Sequence, residues 1–512
     1  MPRSFDVRLE RLLRALVIAL SIFFVLLFLV LAARRMRFPF ELDRLEDPML
    51  TSVWRLRHGE PLYCAPSFQW APFLYAPLFF YVGSAVSKVV GVNYAALRLV
   101  SILSTLGSMG AIFALVWSET RRWAACAFAV GIFASLYAFV YAWYDIGRVD
   151  SLALLLFLLA ILATRRTHPV LAAFLWLLTF LAKQTYLPLG IAMFLIEWRR
   201  PRRMLLGMFS FAALAAAAVF WLNRSSHGWF SYFAFGTAGV IGWSTHMAVL
   251  YPFADLIGPL PIAAGLILAA ALFTDVRWRE RQGSYFAIVT VLLLVAVGYV
   301  RAHVGANLNA VIPAYAWIAV LAGIAVHRIL LRVEETSPGA TTYAPVAATV
   351  WLFAGVQLLA HLYRPAEIPK PNLASRQQFM AALRATPGDV WVVDHSFDGL
   401  LAGKPLHPDM DAFDAVLARG YAPAVDEFRR AVENRQMTAV VLDRDPAGYH
   451  PEGIFTAPPF SSVYRMRVSA PGAGEPDQPQ TVLLPCDTGN GPPGSLLDLR
   501  GAVVDRSQCP SP

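Results

Sequence analysis

ALVIALSIFFVLLFLVLAARRMRFPFELDRLEDPML (residues 15–50) sets a membrane anchor against a knot of acids. Residues 15–33 carry no charge, and the run comes close to the ~20 residues an α-helix needs to cross a bilayer. Its apolar core is longer than the ~7–15 residues of a cleaved signal peptide, so it reads as a retained anchor. Behind it, four carboxylates (Glu41, Asp43, Glu46 and Asp47) fall within seven residues. In a membrane protein such acids either solvate a loop or serve as a base.

The rest of the chain fits an anchor. Of 512 residues 57% are hydrophobic and only 15% charged, where a soluble chain would carry about a quarter. Further uncharged runs occupy 99–118, 123–144, 204–222, 256–274, 284–300, 308–326 and 343–360, with shorter ones at 151–164, 170–182 and 186–198. The net charge of +9 comes from arginines clustered between these runs. That clustering is an orientation signal, not a nucleic-acid-binding surface.

With the N-terminus in the cytoplasm and each short run counted as one crossing, the inside segments carry 17 Lys and Arg and the short outside loops four. The asymmetry predicts eleven crossings with the C-terminus outside. Residues 73–91, FLYAPLFFYVGSAVSKVVG, are then expected as a helix at the outer face, because a crossing there would reverse every later basic loop. The first outer loop, 34–98, holds eight Lys and Arg, but long loops follow the charge rule weakly.

From about Tyr363 the composition changes. YRPAEIPKPN reads as a linker, GDVWVVDH and MTAVVLDR as short buried strands, and APAVDEFRRAVENRQM as a helix between them. The expected fold is mainly α: a polytopic helical membrane protein, residues 1–362, with a linker at 363–372. A small extracytoplasmic α/β domain follows at 373–470, and 471–512 is a loose Gly- and Pro-rich tail. Cys486 and Cys509 lie in that tail and could pair if it is outside the cytoplasm.

On this topology the polar residues gather on the outer face. The first outer loop brings Asp43, Glu46 and Asp47. WYDIGRVD brings Asp145, Arg148 and Asp150; AKQTYLP brings Lys183 and Gln184; RAHVGANLN brings Arg301, His303, Asn307 and Asn309. Ionisable groups near hydrocarbon are costly and point to function. Carboxylates with Lys and Arg on one face suit an anionic lipid headgroup and proton transfer. Plainer roles exist for each: Asp145 and Asp150 can clamp Arg148, Lys183 can snorkel, and His303 can simply pack. No P-loop, no GxGxxG after a strand and no His/Cys cluster with metal spacing is present.

The order of short motifs resembles the GT-C superfamily of polytopic glycosyltransferases, which includes protein O-mannosyltransferases and aminoarabinose transferases. The motifs are LEDPML in the first loop, WRLRHGEPLY, YAPLFFY, Arg98 before the next run, WYDIGRVDSLALLL, FLAKQTYLP and GANLNAVIP. The resemblance implies a GT-C-like fold over most of 1–360. It implies transfer of a sugar from a polyprenyl phosphate or pyrophosphate carrier to a glycan, lipid or protein acceptor at the outer face of a bacterial inner membrane, with inversion. Glu46 or Asp47 would be the base, with Asp43 still in play because the pair here reads Glu-Asp where better-known members have Asp-Glu. Arg148, Lys183 and Arg301 would meet the phosphate, while Asp145, Asp150, Gln184 and Asn307 would bind sugar or phosphate oxygens. A divalent cation, Mg²⁺ or Mn²⁺, on Asp43, Glu46 or Asp150 stays open, since some relatives use one and others do not. The alternative is a lipid or sugar transporter, or flippase, which predicts polar groups at mid-membrane and two related halves. Neither is visible.

Overall fold

The anchor read from residues 15–33 is the middle of a 35-residue helix. The computed structural model describes residues 2–236, 242–273, 283–336, 340–362, 372–446, 449, 454–471, 479–500, 502 and 504–509. Its principal helices run in chain order α1 (Pro2–Met36), α2 (Glu46–Arg57), α3 (Leu78–Val90), α4 (Tyr94–Thr120), α5 (Trp123–Ser135), α6 (Val149–Arg165), α7 (Pro169–Ala182), α8 (Leu187–Ala192) and α9 (Pro201–Ser225). They continue α10 (Pro261–Phe273), α11 (Ser284–Arg301), α12 (Ile312–Thr336), α13 (Ala340–Ala360), α14 (Leu373–Ala385), α15 (Ser396–Leu401), α16 (Met410–Ala418) and α17 (Ala422–Glu433). The chain forms two compact units. One comprises Met1–Arg37, Arg98–Ala218 and Ile241–Pro369; the other comprises Phe38–Leu97, Val219–Val240 and Lys370–Pro512.

Among the described residues, six helices are long and apolar enough to cross a membrane: Asp6–Met36, Tyr94–Thr120, Pro201–Ser225, Ser284–Arg301, Leu308–Thr336 and Tyr343–Ala360. Thr245–Ile257 and Pro261–Phe273, bent by 85° at their break, make a seventh if they form one span. The eleven expected crossings also counted shorter pieces. The run 123–144 is helical only to Ser135, because the backbone turns through left-handed residues at Tyr141 (φ 52°) and Ala142 (φ 57°). The run 186–198 divides into α8 and a 3₁₀ turn, Met193–Glu197. At 1.5 Å per residue the 13-residue α5 reaches only about 20 Å.

In the first unit, α1 packs on α5 and α13, α6 on α7, and α12 on both α5 and α10. Small residues allow the close approaches. A Cβ at Gly131 of α5 would lie 2.3 Å from the Ser21 hydroxyl of α1, and one at Gly323 of α12 would lie 2.8 Å from the Ala125 carbonyl. Backbone groups at helix ends are satisfied by side chains, as hydrocarbon surroundings require. The Gln357 side-chain oxygen accepts from the Ile262 and Ala263 N–H groups at the start of α10, and its amide nitrogen donates to the Pro259 carbonyl.

The second unit carries a five-stranded sheet in the order β1-β2-β4-β3-β5. The strands are β1 (Asp389–Val392), β2 (Met437–Leu442), β3 (Tyr464–Ser469), β4 (Thr481–Pro485) and β5 (Val504–Asp505). β1 and β2 are parallel and joined through α15, α16 and α17; the other pairs are antiparallel. Alternation in β1 sends Val390 and Val392 into a core with Phe379, Leu383, Val441, Val468 and Val482. Trp391 goes to the opposite side, among Phe68, Phe413, Phe428 and Phe455.

The two strands and the helix read from 388–444 are β1, β2 and α17. The boundaries around them move. The sheet does not stop at 470, since TVLLP (481–485) is the central strand β4, paired on both sides. Cys486 and Cys509 are joined in a disulfide that ties β5 back to the end of β4. Gly and Pro flank these strands as turns, which is why composition alone suggested a loose tail. The first loop also folds with the sheet: Phe40 lies in its core. Residues 363–371 of the expected linker lie outside the described residues.

Candidate active site

The acidic knot is built around the first turn of α2. The Asp43 carboxylate accepts from the Leu45 N–H at 3.0 Å, its carbonyl accepts from the Glu46 N–H at 2.9 Å, and the Glu46 carboxylate accepts from the Leu42 N–H at 2.7 Å. Carboxylates in a first turn suit the positive end of the helix dipole. Glu46 and Asp47 are nonetheless fully buried, so neither is the solvated loop charge that a surface turn would give.

Asp47 is held from several sides. It accepts from the Ser396 hydroxyl at 2.8 Å, from the Phe397 N–H at 2.9 Å and from the Tyr94 hydroxyl at 3.0 Å. The Tyr94 oxygen also lies 3.2 Å from Glu41. Glu41 pairs with Arg376 and lies 2.8 Å from His395 Nδ1, while His395 Nε2 lies 2.8 Å from Asp443. Arg376 also pairs with Asp398. A second cation, Arg44, lies 2.8 Å from Asp411 and 3.5 Å from Asp394.

Acids outnumber cations here, and their proton affinities diverge. Burial alone would raise Glu41, but Arg376 and His395 hold its carboxyl well below the ordinary carboxylate range. Burial, with Glu41 and Asp398 close by, pushes Asp47 up to about 7. Burial pushes Asp398 up to about 6 against the pull of Arg376. For His395 burial works the other way, but Asp443 and Glu41 overcome it and hold the ring protonated well above its usual range.

The first unit holds the other candidates. Asp150, on the first turn of α6, receives Lys183 at 2.7 Å, Asn309 at 3.2 Å and Arg148 at 3.4 Å. All three charged groups are buried, and the Arg148 guanidinium stands 4.9 Å from the Trp143 ring centroid. Lys183 also lines a cavity of about 30 Å³ whose walls include Tyr186, Leu189, Leu293, Val297 and Val300.

Other expected contacts resolve differently. Asp145 accepts from Arg35 at 2.9 Å and from the Tyr137 hydroxyl at 2.8 Å. Arg301 is engaged by Asp255 at 2.8 Å and by the Ala306 carbonyl at 2.7 Å. Asn307 accepts from the Leu308 N–H as an N-cap, and Gln184 is buried at the start of a 3₁₀ turn. His303 meets the Tyr299 and Trp243 rings edge to face.

Asp43 and Glu46, as possible cation ligands, are engaged by backbone N–H groups of their own turn. Among the described residues no three His, Cys, Asp or Glu side chains come together to hold a metal ion, and no step below passes through one.

Sequence reading missed Glu41 as a working member of its own acidic run, and missed Tyr94, Arg376, His395 and Asp398. A signal existed for two of these. VVDHSFD (392–398) puts charged residues just past the C-terminal end of a strand with a parallel neighbour, a common place for functional groups in α/β sheets. Nothing local marks Arg376.

Comparison with known proteins adds three findings. The sequence profile of glycosyltransferase family 87 matches residues 73–302. No curated protein matches the chain. Among solved structures, the crystal structure of ArnT from Cupriavidus metallidurans in the apo state aligns with a TM-score of 0.58 at 16% identity, covering 90% of this chain and 97% of that one. The same protein bound to undecaprenyl phosphate aligns with a TM-score of 0.56 at 15% identity over the same shares. By a family profile on part of its sequence and by its fold over 90% of its length, this chain is similar to the polytopic membrane glycosyltransferases of the GT-C superfamily.

Proposed function

We propose that the chain is a membrane glycosyltransferase that moves a sugar from a polyprenyl phosphate or pyrophosphate carrier to an acceptor hydroxyl. One observation carries the reading. Lys183 and Arg148, both buried, pair with Asp150 on the first turn of α6. Buried Lys and Arg side chains in a membrane protein suit an anionic headgroup. The family 87 profile and the likeness to ArnT support transfer chemistry over transport, and the ArnT crystal with undecaprenyl phosphate supports that carrier class.

The reaction is a single displacement. Glu46 takes the proton of the acceptor hydroxyl, and that oxygen bonds to the anomeric carbon as the bond from carbon to phosphate oxygen breaks. The electron pair leaves with the phosphate, whose growing charge needs a cation. One attack from the face opposite the leaving group inverts the anomeric centre. The donor brings its own leaving group, so the chain needs no nucleotide pocket. Placement at the outer face of a bacterial inner membrane follows the Lys and Arg count, and the Cys486–Cys509 disulfide supports an oxidising side for the sheet.

The test is transfer by purified protein in proteoliposomes, using a panel of polyprenyl-phosphate hexoses and pentoses. Glu46→Gln is expected to lower transfer by at least about a hundredfold while the variant still inserts and melts like the parent. Full activity in that variant removes Glu46 from the mechanism. NMR of the product is expected to show the inverted anomer; retention contradicts the single displacement.

A further inference from the structure

Two adjacent buried acids open α2, and the chemistry needs one base. We propose that Asp47 is not that base but a positioning residue, clamped by Ser396 and Phe397 at the start of α15 so that the first turn of α2 presents Glu46. This rests on the glycosyltransferase reading, and it gives the sheet-bearing part of the chain a role in catalysis.

Hydrogen-bond accounting carries the inference. One Asp47 oxygen receives the Ser396 hydroxyl at 2.8 Å and the Phe397 N–H at 2.9 Å, which fills its lone pairs. The other faces the Tyr94 hydroxyl at 3.0 Å and the Phe397 N–H at 3.2 Å. The Tyr94 hydroxyl has one proton and two carboxylate neighbours, Asp47 and Glu41. It can donate to only one of them at a time, and it accepts from the other only where that carboxyl carries a proton. Thr51, one turn along α2, adds a hydroxyl 3.3 Å from that of Ser396 and donates to the Asp47 carbonyl at 3.0 Å. Asp47 is therefore surrounded by groups that fix it, at full burial. A carboxylate with both oxygens taken up by neighbouring donors is suited to hold a turn in place.

The clamp is itself braced. Glu41, five residues before the start of α2, is gripped by Arg376 and His395; Asp398, two residues past Ser396, is gripped by Arg376. One guanidinium therefore ties the segment leading into α2 to α15, whose first residues hold Asp47. The structure offers an isosteric probe. An asparagine at 47 would keep an oxygen for Ser396 and Phe397, and its NH₂ would donate to the Tyr94 oxygen, whose own proton would go to Glu41.

The experiment compares Asp47→Asn, Asp47→Ala and Ser396→Ala with the parent, reading transfer kinetics and hydrogen exchange of the α2 amides in detergent. Asp47→Asn is expected to keep at least about a tenth of kcat, with α2 exchange as in the parent. Asp47→Ala and Ser396→Ala are expected to speed α2 exchange and to lower kcat by about 10- to 100-fold, the loss of a hydrogen bond to a charged group. Donor KM stays within about twofold, and Ser396→Thr restores kcat. An Asp47→Asn variant as inactive as Glu46→Gln, with α2 exchange unchanged, overturns the proposal and makes Asp47 the base. So does Ser396→Ala with parental exchange in α2. If the parent itself transfers no sugar, the glycosyltransferase reading fails, and the exchange result still decides whether the clamp exists.

Discussion

Two buried charge clusters, one in each unit, are composed in opposite ways. Around Asp150 two cations surround one carboxylate, and an apolar cavity lies alongside. Around Asp47 the acids Glu41, Asp398 and Asp443 share Arg376 and His395. Buried cations suit an anion. An excess of buried carboxylate does something else: it spreads proton affinities apart, so that Glu41 stays ionised while Asp47 and Asp398 hold protons more tightly. A transferase that ejects a phosphate and takes a proton needs both kinds of environment.

Breaking each cluster should produce a distinct failure. The largest effect expected is the loss of at least about a hundredfold in transfer for Glu46→Gln, with folding intact. Next, Arg376→Ala leaves Glu41 and Asp398 buried without their cation, and is expected to cost about 3–5 kcal/mol of stability. Chemical denaturation read by a probe in the sheet checks it. A cost under about 1 kcal/mol would mean that the network rearranges freely and braces nothing.

Lys183→Ala should act on the other cluster, weakening donor binding by about 10- to 100-fold without a comparable loss of stability. Binding of a polyprenyl phosphate in detergent gives the Kd. An unchanged Kd with a lower melting temperature would make Lys183 and Asp150 a structural clamp.

The smallest effect is on pH. Asp47 and Asp398 bind protons more tightly folded, near 7 and 6, than at their ordinary 3.8. Stability should then fall as pH rises from about 4 to 7, because the folded state keeps protons that the unfolded chain releases. Glu41 runs the opposite way, but its loss comes only as pH falls through its depressed value. The melting temperature is expected to drop by a few degrees across that window, and by less in Asp398→Asn. A rise would contradict these proton affinities.

How much of this was legible depended on the range of the interactions. The long helices follow from uncharged runs, and β1, β2 and α17 from alternation and an amphipathic pattern. Asp150, Lys183 and Asn309 came from loops that charge counting placed on one face, and the structure brings them together. The end of α5 depends on a backbone reversal at Tyr141 and Ala142, which no apolar run reveals. β4 is five residues in a Gly- and Pro-rich stretch, and its partners supply what its composition does not. Asp145 was legible as a clamp, but its cation, Arg35, lies 110 residues away. Arg376 was invisible for the same reason, since it is 335 residues from Glu41.

The most direct test follows a polyprenyl-phosphate sugar through one turnover of the reconstituted protein by mass spectrometry. The account predicts free polyprenyl phosphate appearing one for one with glycosylated acceptor. Intact lipid-linked sugar that only changes leaflet, with no bond broken, would contradict it.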